Sequence, residues 1–443
     1  MFIRALIRVH PCTAVLFVLA LALAGCGSAD AAGTTTLRFW AMGAEGERVQ
    51  ELVKQFEREN PGIKVRVQQI PWTAAHEKLL TAHVGEATPD VAQLGNTWVP
   101  EFAALDALEP LDGRVAGSTA VAREDFFPGI WATNVVDGVT YGVPWYVDTR
   151  VLFYRTDLLA RAGYRRMPES WDGWVEAMRK VKALGAGGSP ARSYAILLPL
   201  DEWAQPVVMG VQAGSELLRD GGRYGAFSQP EFRRGFEFYV DLFRQGLAPT
   251  VANTQVANLY QEFAAGTFAL YITGPWNLGE FRNRLPAELQ DKWATAPLPG
   301  PGGIERGFSN AGGASLVVFR GSAHKDAAWR LVEFLSAPER ELRFYQLTGD
   351  LPPRLTAWRD SALAGDARAR AFYEQLQRAH PMPPVPEWES IAARVAQAAE
   401  QVARGQRTTD DALAALDRDV NEILEKRRWM LDRRSTRVAN LAP

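Results

Sequence analysis

Hydrophobic positions change period several times in the stretch that follows residue 34. The alternating run at 63–70 predicts a β-strand, and the segments 35–40 and 90–94 are typical of two further strands, the latter a short one. Between the segments 35–40 and 63–70, apolar side chains recur at helical spacing: Val49, Leu52, Val53 and Phe56. Strands that alternate with helices favour an α/β fold with a largely parallel sheet and helices on both faces.

Ligands of such sheets bind beyond the carboxyl ends of the strands, so the loops at 41–47 and 94–98 are candidate site loops. The remaining chain is mostly helical in pattern. Helices are predicted around 170–184, 230–245, 258–265, 323–346, 360–379 and 389–430. We expect the segment 433–443 to be a frayed tail.

The first 26 residues have the pattern of an export signal. Arg4 and Arg8 precede an apolar run at 14–23, which is too short to span a bilayer comfortably. Leu-Ala-Gly-Cys at 23–26 resembles the lipobox of bacterial lipoproteins, which implies removal of 1–25 and lipidation of Cys26. A plain signal peptide with an incidental cysteine is the alternative. Residues 26–34 are small and polar, typical of a flexible tether.

Composition narrows the function classes. The 443 residues suggest two or three domains. A net charge of -2 gives no global attraction to nucleic acid. Two cysteines cannot form a disulfide framework, and five scattered histidines do not indicate a metal site, so we expect no cofactor and no metal. The 14 tryptophans are many for this length, and we expect some of them to serve outside the core.

Three stretches resemble the family 1 extracellular solute-binding proteins, which include maltose-binding protein. Tyr-Gly-Val-Pro at 141–144 precedes an apolar strand at 151–155 that ends in Tyr-Arg, where the family commonly has Tyr-Asn-Lys. The segment 263–272 leads into Gly-Pro-Trp at 274–276. Gly-Gly-Ala-Ser at 312–315 opens a third stretch, and 349–354 completes the order. Each motif alone is weak, but their order and spacing are specific.

This resemblance implies a sugar-binding subunit of an ABC importer with two α/β lobes, hinge strands and a ligand cleft between the lobes. We expect residues 35–146 and 309–352 to form lobe 1, and 147–308 and 353–432 to form lobe 2. The protein would act as a monomeric, non-enzymatic lipoprotein at the cell membrane, facing the periplasm or exterior. Its partners would be a carbohydrate, the permease subunits and their cytoplasmic ATPase.

Candidate ligand-binding residues follow from the same resemblance. Trp276 lies where the family has a sugar-stacking ring, and Asp148 aligns with a ligand carboxylate. Trp145 and Tyr146 flank the first expected hinge crossing, and Arg354 would offer a bidentate fork after the Pro pair. Each of these has a structural alternative. Trp276 could be a core residue, Asp148 a helix cap or a hinge ion pair, and Arg354 part of a surface ion pair. The site loops and the second crossing add Glu45, Asn96, Trp98, Asn310, Gly312 and Gly313.

Sugars suit such residues because aromatic rings cover their C–H faces and charged groups bind their hydroxyls. A second hypothesis is a secreted glycan hydrolase, which needs a pair of carboxylates with separated pKa values. No motif for that pair is visible. A third is capture of another solute, such as a polyol, a peptide or a glycerol-phosphodiester. The candidate loops carry few of the bases that a phosphate needs.

Overall fold

The computed structural model describes residues 33–188 and 193–439. The predicted signal peptide 1–25, Cys26 and most of the tether 26–34 lie outside this part of the chain, as do residues 440–443 of the predicted tail. Within the described ranges, no helix combines the length and the apolar character that a bilayer crossing requires.

The described chain alternates strands with helices. The strands are β1 Thr35–Met42, β2 Ile63–Ile70, β3 Val91–Gly95, β4 Val135–Val136, β5 Val139–Thr140, β6 Val143–Asp148, β7 Val151–Arg155, β8 Ile196–Leu197, β9 Leu218–Arg219, β10 Tyr224–Gly225, β11 Leu270–Thr273, β12 Trp293–Ala296, β13 Ser309–Asn310, β14 Gly312–Val318 and β15 Ala379–His380.

The helices cover both lobes and form most of the last third of the chain. They are α1 Gly43–Arg48, α2 Gln50–Glu59, α3 Trp72–Val84, α4 Val99–Ala104, α5 Asp112–Gly117, α6 Pro128–Ala132, α7 Thr156–Arg161, α8 Trp171–Ala183, α9 Ala204–Gln212, α10 Pro230–Arg244, α11 Leu259–Ala265, α12 Trp276–Arg284, α13 Lys325–Leu335, α14 Pro338–Thr348, α15 Ser361–Ala364, α16 Ala367–Leu376, α17 Trp388–Ala403, α18 Thr409–Ile423 and α19 Glu425–Ala439.

Lobe 1 is built on a five-stranded sheet in the order β2-β1-β3-β14-β6. β1 pairs in parallel with β2 and β3, whereas β14 runs antiparallel to β3 and β6. Side chains alternate across β1, so Phe39 packs in one core cluster and Trp40 in another on the opposite face. Helices α2 and α13 cover the first face, and α3 and α4 the second.

Lobe 2 has a smaller sheet in the order β12-β7-β11-β8. β7 is antiparallel to both neighbours, and β11 is parallel to β8. Leu152 and Phe153 point to opposite faces of β7 and belong to separate core clusters. Helices α8, α10, α17 and α18 contribute to the first cluster, and α11, α12 and α16 to the second.

Three segments connect the lobes. β6 in the first sheet leads to β7 in the second through Thr149 and Arg150, just beyond the division predicted at 146/147. β13 pairs with β15, and Ala311 separates it from β14 in the lobe 1 sheet. The third connection follows α14, where Leu351 bridges to Val147. The lobe boundaries taken as a whole remain a prediction.

Two predicted irregular segments contain helix. Residues 43–48 form α1, which covers most of the first candidate loop at 41–47, and Val49 links it directly to α2. At the other end of the chain, α19 continues to Ala439, so helical backbone extends past 433, where we expected the tail to begin.

Candidate ligand-binding cleft

A cleft of about 530 Å³ lies between the lobes. This volume is within the range of pockets that hold small organic ligands. Lobe 1 contributes Glu45, Trp72, Trp98, Tyr146, Asp148 and Asp350 to its lining. Arg150 on the first crossing and Trp203, Trp276 and Glu389 on lobe 2 line it from the other side. The cleft therefore combines four indole rings with four carboxyl groups.

Trp276 is the first residue of α12, and its side chain is 43% exposed. The ring folds back over Gly274: a Cβ at that glycine would lie 1.9 Å from the indole. The Arg150 guanidinium lies 4.6 Å from the ring centroid. Glycine at 274 thus permits a ring position in which Arg150 covers part of the indole.

Trp72 and Trp98 meet edge to face on the lobe 1 side, with centroids 5.6 Å apart. Trp98 also contacts the ring of His76, whose Nε2 lies 2.6 Å from a carboxylate oxygen of Glu101. The hydrogen bond to Glu101 raises the pKa of His76. Gly43 adjoins this pair, because a Cβ there would lie 2.8 Å from the Trp72 ring.

Tyr146 is held at the base of the cleft by hydrogen bonds on both sides of its hydroxyl. It donates to Glu45 Oε1 at 2.9 Å and accepts from Gln93 Nε2 at 3.0 Å. Gln93 Oε1 in turn accepts from the backbone N–H of Met42, the last residue of β1. Burial, with the charge of Glu45, raises the pKa of Tyr146 well above its usual range, so the hydroxyl stays protonated and Glu45 has a fixed orientation.

Asp350 is a buried carboxyl group on the third crossing. Burial, reinforced by the charges of Glu45 and Asp148, raises its pKa to about 7. Burial also raises the pKa of Asp148, an effect opposed by its ion pair with Arg150. Three carboxyl groups from three separate segments are thus close enough to influence one another's charge.

This arrangement can bind a polyhydroxylated ring from several directions. Indole faces match its C–H surfaces, and carboxyl groups, Tyr146 and Arg150 offer hydrogen bonds to its hydroxyls. The lining comes from both lobes, so a bound molecule would contact both. The predicted residues that the structure brings together here are Trp276, Asp148, Tyr146, Glu45, Trp98 and Gly313.

Trp145 does not belong to this cleft, contrary to our expectation. Its side chain is fully buried and stacks on Phe344, with ring centroids 4.3 Å apart. Tyr146 belongs to the same core cluster, with its ring centroid 6.0 Å from that of Trp145, but of the two only Tyr146 also lines the cleft. Trp145 is a core residue of lobe 1.

Arg354 does not line the cleft either, contrary to our expectation. It is buried, and its Nε donates to Asp125 Oδ2 at 2.8 Å while Nη1 donates to the carbonyl oxygens of Ser336 and Ala120. All of these partners are groups of the protein itself, so the guanidinium is engaged within the fold. The fork that we expected to bind a ligand instead fixes the third crossing to lobe 1.

Asn96, Asn310 and Gly312 lie outside the cleft lining. Asn96 is buried, and its Nδ2 donates to the carbonyl oxygen of Ala311 at 3.0 Å. Asn310 is buried in β13. A Cβ at Gly312 would lie 2.3 Å from the carbonyl oxygen of Asp148, so this glycine allows β14 to approach β6. None of these three residues lines the cleft.

Gly313 lines the cleft but acts first through the backbone. Its φ of 132° is strained for any residue with a side chain, and a Cβ would lie 2.2 Å from the carbonyl oxygen of Tyr146. The register of β14 against β6 becomes irregular at the next pair, Ala314/Ser315.

Sequence reasoning missed several cleft residues. Trp72 follows the carboxyl end of β2, so the strand-end rule that selects Glu45 also points to it. Trp203 follows Asp201 and Glu202, and only this local composition points to it. Neither the position of Arg150 nor that of Asp350 was recognised, although Asp350 lies within a quoted motif. Glu389 carried no sequence signal.

Comparison with known proteins agrees with this architecture. Residues 41–341 match the family described as bacterial extracellular solute-binding protein. The structure is similar to the sugar-binding protein MalE from the phytopathogen Xanthomonas citri, with a TM-score of 0.86 and 51% identity over 90% of this chain and 99% of that one. The chain belongs to the bacterial extracellular solute-binding protein family.

Two curated relatives extend the similarity across most of the chain. A relative from Brucella abortus (strain 2308) is 27% identical over 408 residues, which is 92% of this chain and 96% of the relative. The diacetylchitobiose binding protein DasA of Streptomyces coelicolor is 26% identical over 370 residues, 82% of this chain and 83% of DasA.

Proposed function

We propose that this protein captures a sugar outside the cytoplasm and delivers it to an ABC transporter permease. The observation that carries the proposal is the interlobe cleft, in which indole rings and carboxyl groups from both lobes converge. The names of two relatives agree with it, since MalE is described as sugar-binding and DasA as binding diacetylchitobiose. A disaccharide or short oligosaccharide fits a cleft of this volume.

Binding would favour closure of the lobes. A sugar that contacts Trp276 on lobe 2 and Trp98 on lobe 1 gains both sets of contacts only when the cleft is narrow. It therefore shifts the equilibrium toward the closed state by its differential affinity. The closed protein, with each lobe presented to one half of the permease, is the form that we expect to be recognised.

Attachment to the membrane through Cys26 is part of the proposal and rests on the lipobox sequence at 23–26. A chain with one lipid anchor and a short tether keeps the binding lobes near the permease. Cys26→Ser should release the protein from the membrane fraction into the soluble extracytoplasmic fraction, measured by fractionation and immunoblotting. Retention in the membrane fraction would contradict lipidation at this residue.

The function is tested by a thermal-shift screen of residues 27–443 against mono-, di- and oligosaccharides, followed by calorimetry on each hit. A sugar at about 100 times its Kd should stabilise the protein by roughly 2.7 kcal/mol. Trp276→Ala should weaken binding of that sugar by about tenfold or more, because ring stacking and the shape fit of the cleft are lost together. Trp429→Ala is the matched control, because Trp429 is another exposed indole, 54% exposed, outside the cleft.

The result separates the alternatives. Carboxyl groups meet in this cleft as they would in a hydrolase, so the sugar is recovered after incubation and checked by chromatography. Intact sugar supports pure binding, and turnover would overturn it. A shift with phosphodiesters or peptides but with no sugar would keep the family and replace the ligand class.

A further inference from the structure

The cleft has an imbalance of charge. Among its described lining residues, four side chains are acidic, namely Glu45, Asp148, Asp350 and Glu389, and Arg150 alone carries a basic group. A neutral sugar needs hydrogen-bond acceptors, but it does not need uncompensated negative charge.

Arg150 does not offset this imbalance, because it is already engaged. Its guanidinium forms an ion pair with Asp148 and lies over the Trp276 ring at 4.6 Å. In the described ranges, neither Glu45, Asp350 nor Glu389 forms an ion pair with a lysine or arginine. Three carboxyl groups are therefore available to a ligand that brings its own positive charge.

The aromatic lining adds an independent argument. Trp72, Trp98, Trp203 and Trp276 surround the same space. The face of an indole attracts cations as well as C–H groups, and an enclosure of rings with carboxylates is suited to an ammonium group. Arg150 over Trp276 shows that a cation already occupies one of these ring faces.

We propose that the cleft selects sugars bearing a primary ammonium group over their neutral counterparts, and rejects sugars bearing a carboxylate or phosphate. The inference rests on the proposed function, since it names the charge class of the sugar. The ammonium group would form charge-assisted hydrogen bonds with Asp350 and Glu45 and lie against the indole rings. An anion would meet three carboxyl groups and no free base.

The test uses sets of probes that differ only at C6. Maltose, cellobiose and trehalose are each measured as the parent, as the 6-amino-6-deoxy derivative and as the uronic acid, with each ring substituted in turn. Calorimetry on residues 27–443 at pH 8 gives the Kd of each. For each parent that binds, the tighter-binding of its amino derivatives should bind about tenfold more tightly than the parent. Its uronic acids should bind about tenfold more weakly than the parent. Both differences should shrink between about 0.02 M and 0.5 M salt.

Two neutral variants locate the effect. Asp350→Asn and Glu45→Gln should each lower the ratio of the parent's Kd to the amino derivative's Kd by about threefold or more. Asp291→Asn and Glu288→Gln, on an exposed lobe 2 turn outside the cleft, are the matched controls and should leave this ratio unchanged. If the ratio also fell in the control variants, the preference for the amino sugar would come from the electrostatic field of the whole protein. That result would overturn the role given to the cleft.

The preference should also depend on pH. A primary amine stays protonated at pH 6 and pH 8, whereas Asp350 loses its proton between them, so the ratio should rise with pH. The groups facing Asp350 are Glu45, Tyr146, Asp148 and, through Asp148, Arg150. Equal Kd values for parent and amino derivative would overturn the inference and leave sugar capture intact. Failure of every saccharide to bind would instead refute the proposed function.

Discussion

At the scale of single residues, Asp350 shows how a binding site can conflict with stability. Its carboxyl group is buried beside other acids, and its pKa is raised to about 7. In the unfolded chain an Asp titrates near 3.9. Between these values the folded protein holds a proton that the unfolded chain has lost, so the stability of the free protein falls as the pH rises through this window.

Replacing this carboxyl group should therefore stabilise the protein in a pH-dependent way. Asp350→Asn removes the titration, and we expect its free energy of unfolding relative to wild type to increase by about 2 kcal/mol between pH 5 and pH 8. Urea denaturation at the two pH values measures the difference. Asp291→Asn, on an exposed turn, should show no such increase. An equal gain at both pH values would mean that Asp350 is not protonated in the native state.

Gly274 makes a second prediction at this scale. A methyl group there would lie 1.9 Å from the Trp276 indole, so Gly274→Ala should displace the ring and weaken sugar binding by about tenfold, as loss of the ring itself would. Gly279→Ala is the control: Gly279 lies in α12, the helix that Trp276 begins, with open space around its Cβ position. It should preserve the Kd and stabilise the protein by about 0.5–1 kcal/mol. Calorimetry and urea denaturation measure both effects, and unchanged binding in Gly274→Ala would refute this ring position.

At the scale of elements, the Arg354–Asp125 ion pair joins the third crossing to lobe 1. Arg354→Met should leave the largely buried Asp125 without its ion-pair partner and reduce stability by about 3 kcal/mol. Adding Asp125→Asn should recover part of that loss, because the uncompensated charge is removed. Urea denaturation measures both variants. The Kd for a bound sugar should stay within about threefold in the folded protein, since Arg354 does not line the cleft. A larger loss of affinity at unchanged stability would restore its predicted role in binding.

Elements whose one face is buried were the most predictable from sequence. The alternation at 63–70 gave β2 with the bounds that the structure has, and the helical spacing at 170–184 corresponds to α8 at Trp171–Ala183. The Gly-Ala-Glu-Gly sequence of α1 has no apolar periodicity, so the pattern indicates a loop there. The strand that contains Trp145 and Tyr146 was found, but its pattern is apolar on both faces and could not tell which side chain reaches the cleft.

At the scale of the whole molecule, the resemblance to a family supplied what periodicity could not. Motif order indicated two lobes with a cleft between them, and the structure has both. Two of the residues that sequence reasoning missed depend on contacts between distant segments. Trp203 and Glu389 reach the cleft only because lobe 2 is placed opposite lobe 1, and nothing local to either residue encodes that placement.

The strand order of lobe 1 has a consequence for how the chain is made. β14 lies between β3 and β6, yet it is synthesised after β7, β8, β11 and β12 of the other lobe. A nascent chain that has only reached lobe 2 has a gap in the middle of its first sheet, and pairing across such a sequence separation is slow. Tertiary structure in the first half is thereby postponed until most of the polypeptide exists. Such a delay suits a chain that must stay unfolded while a translocon threads it across a membrane.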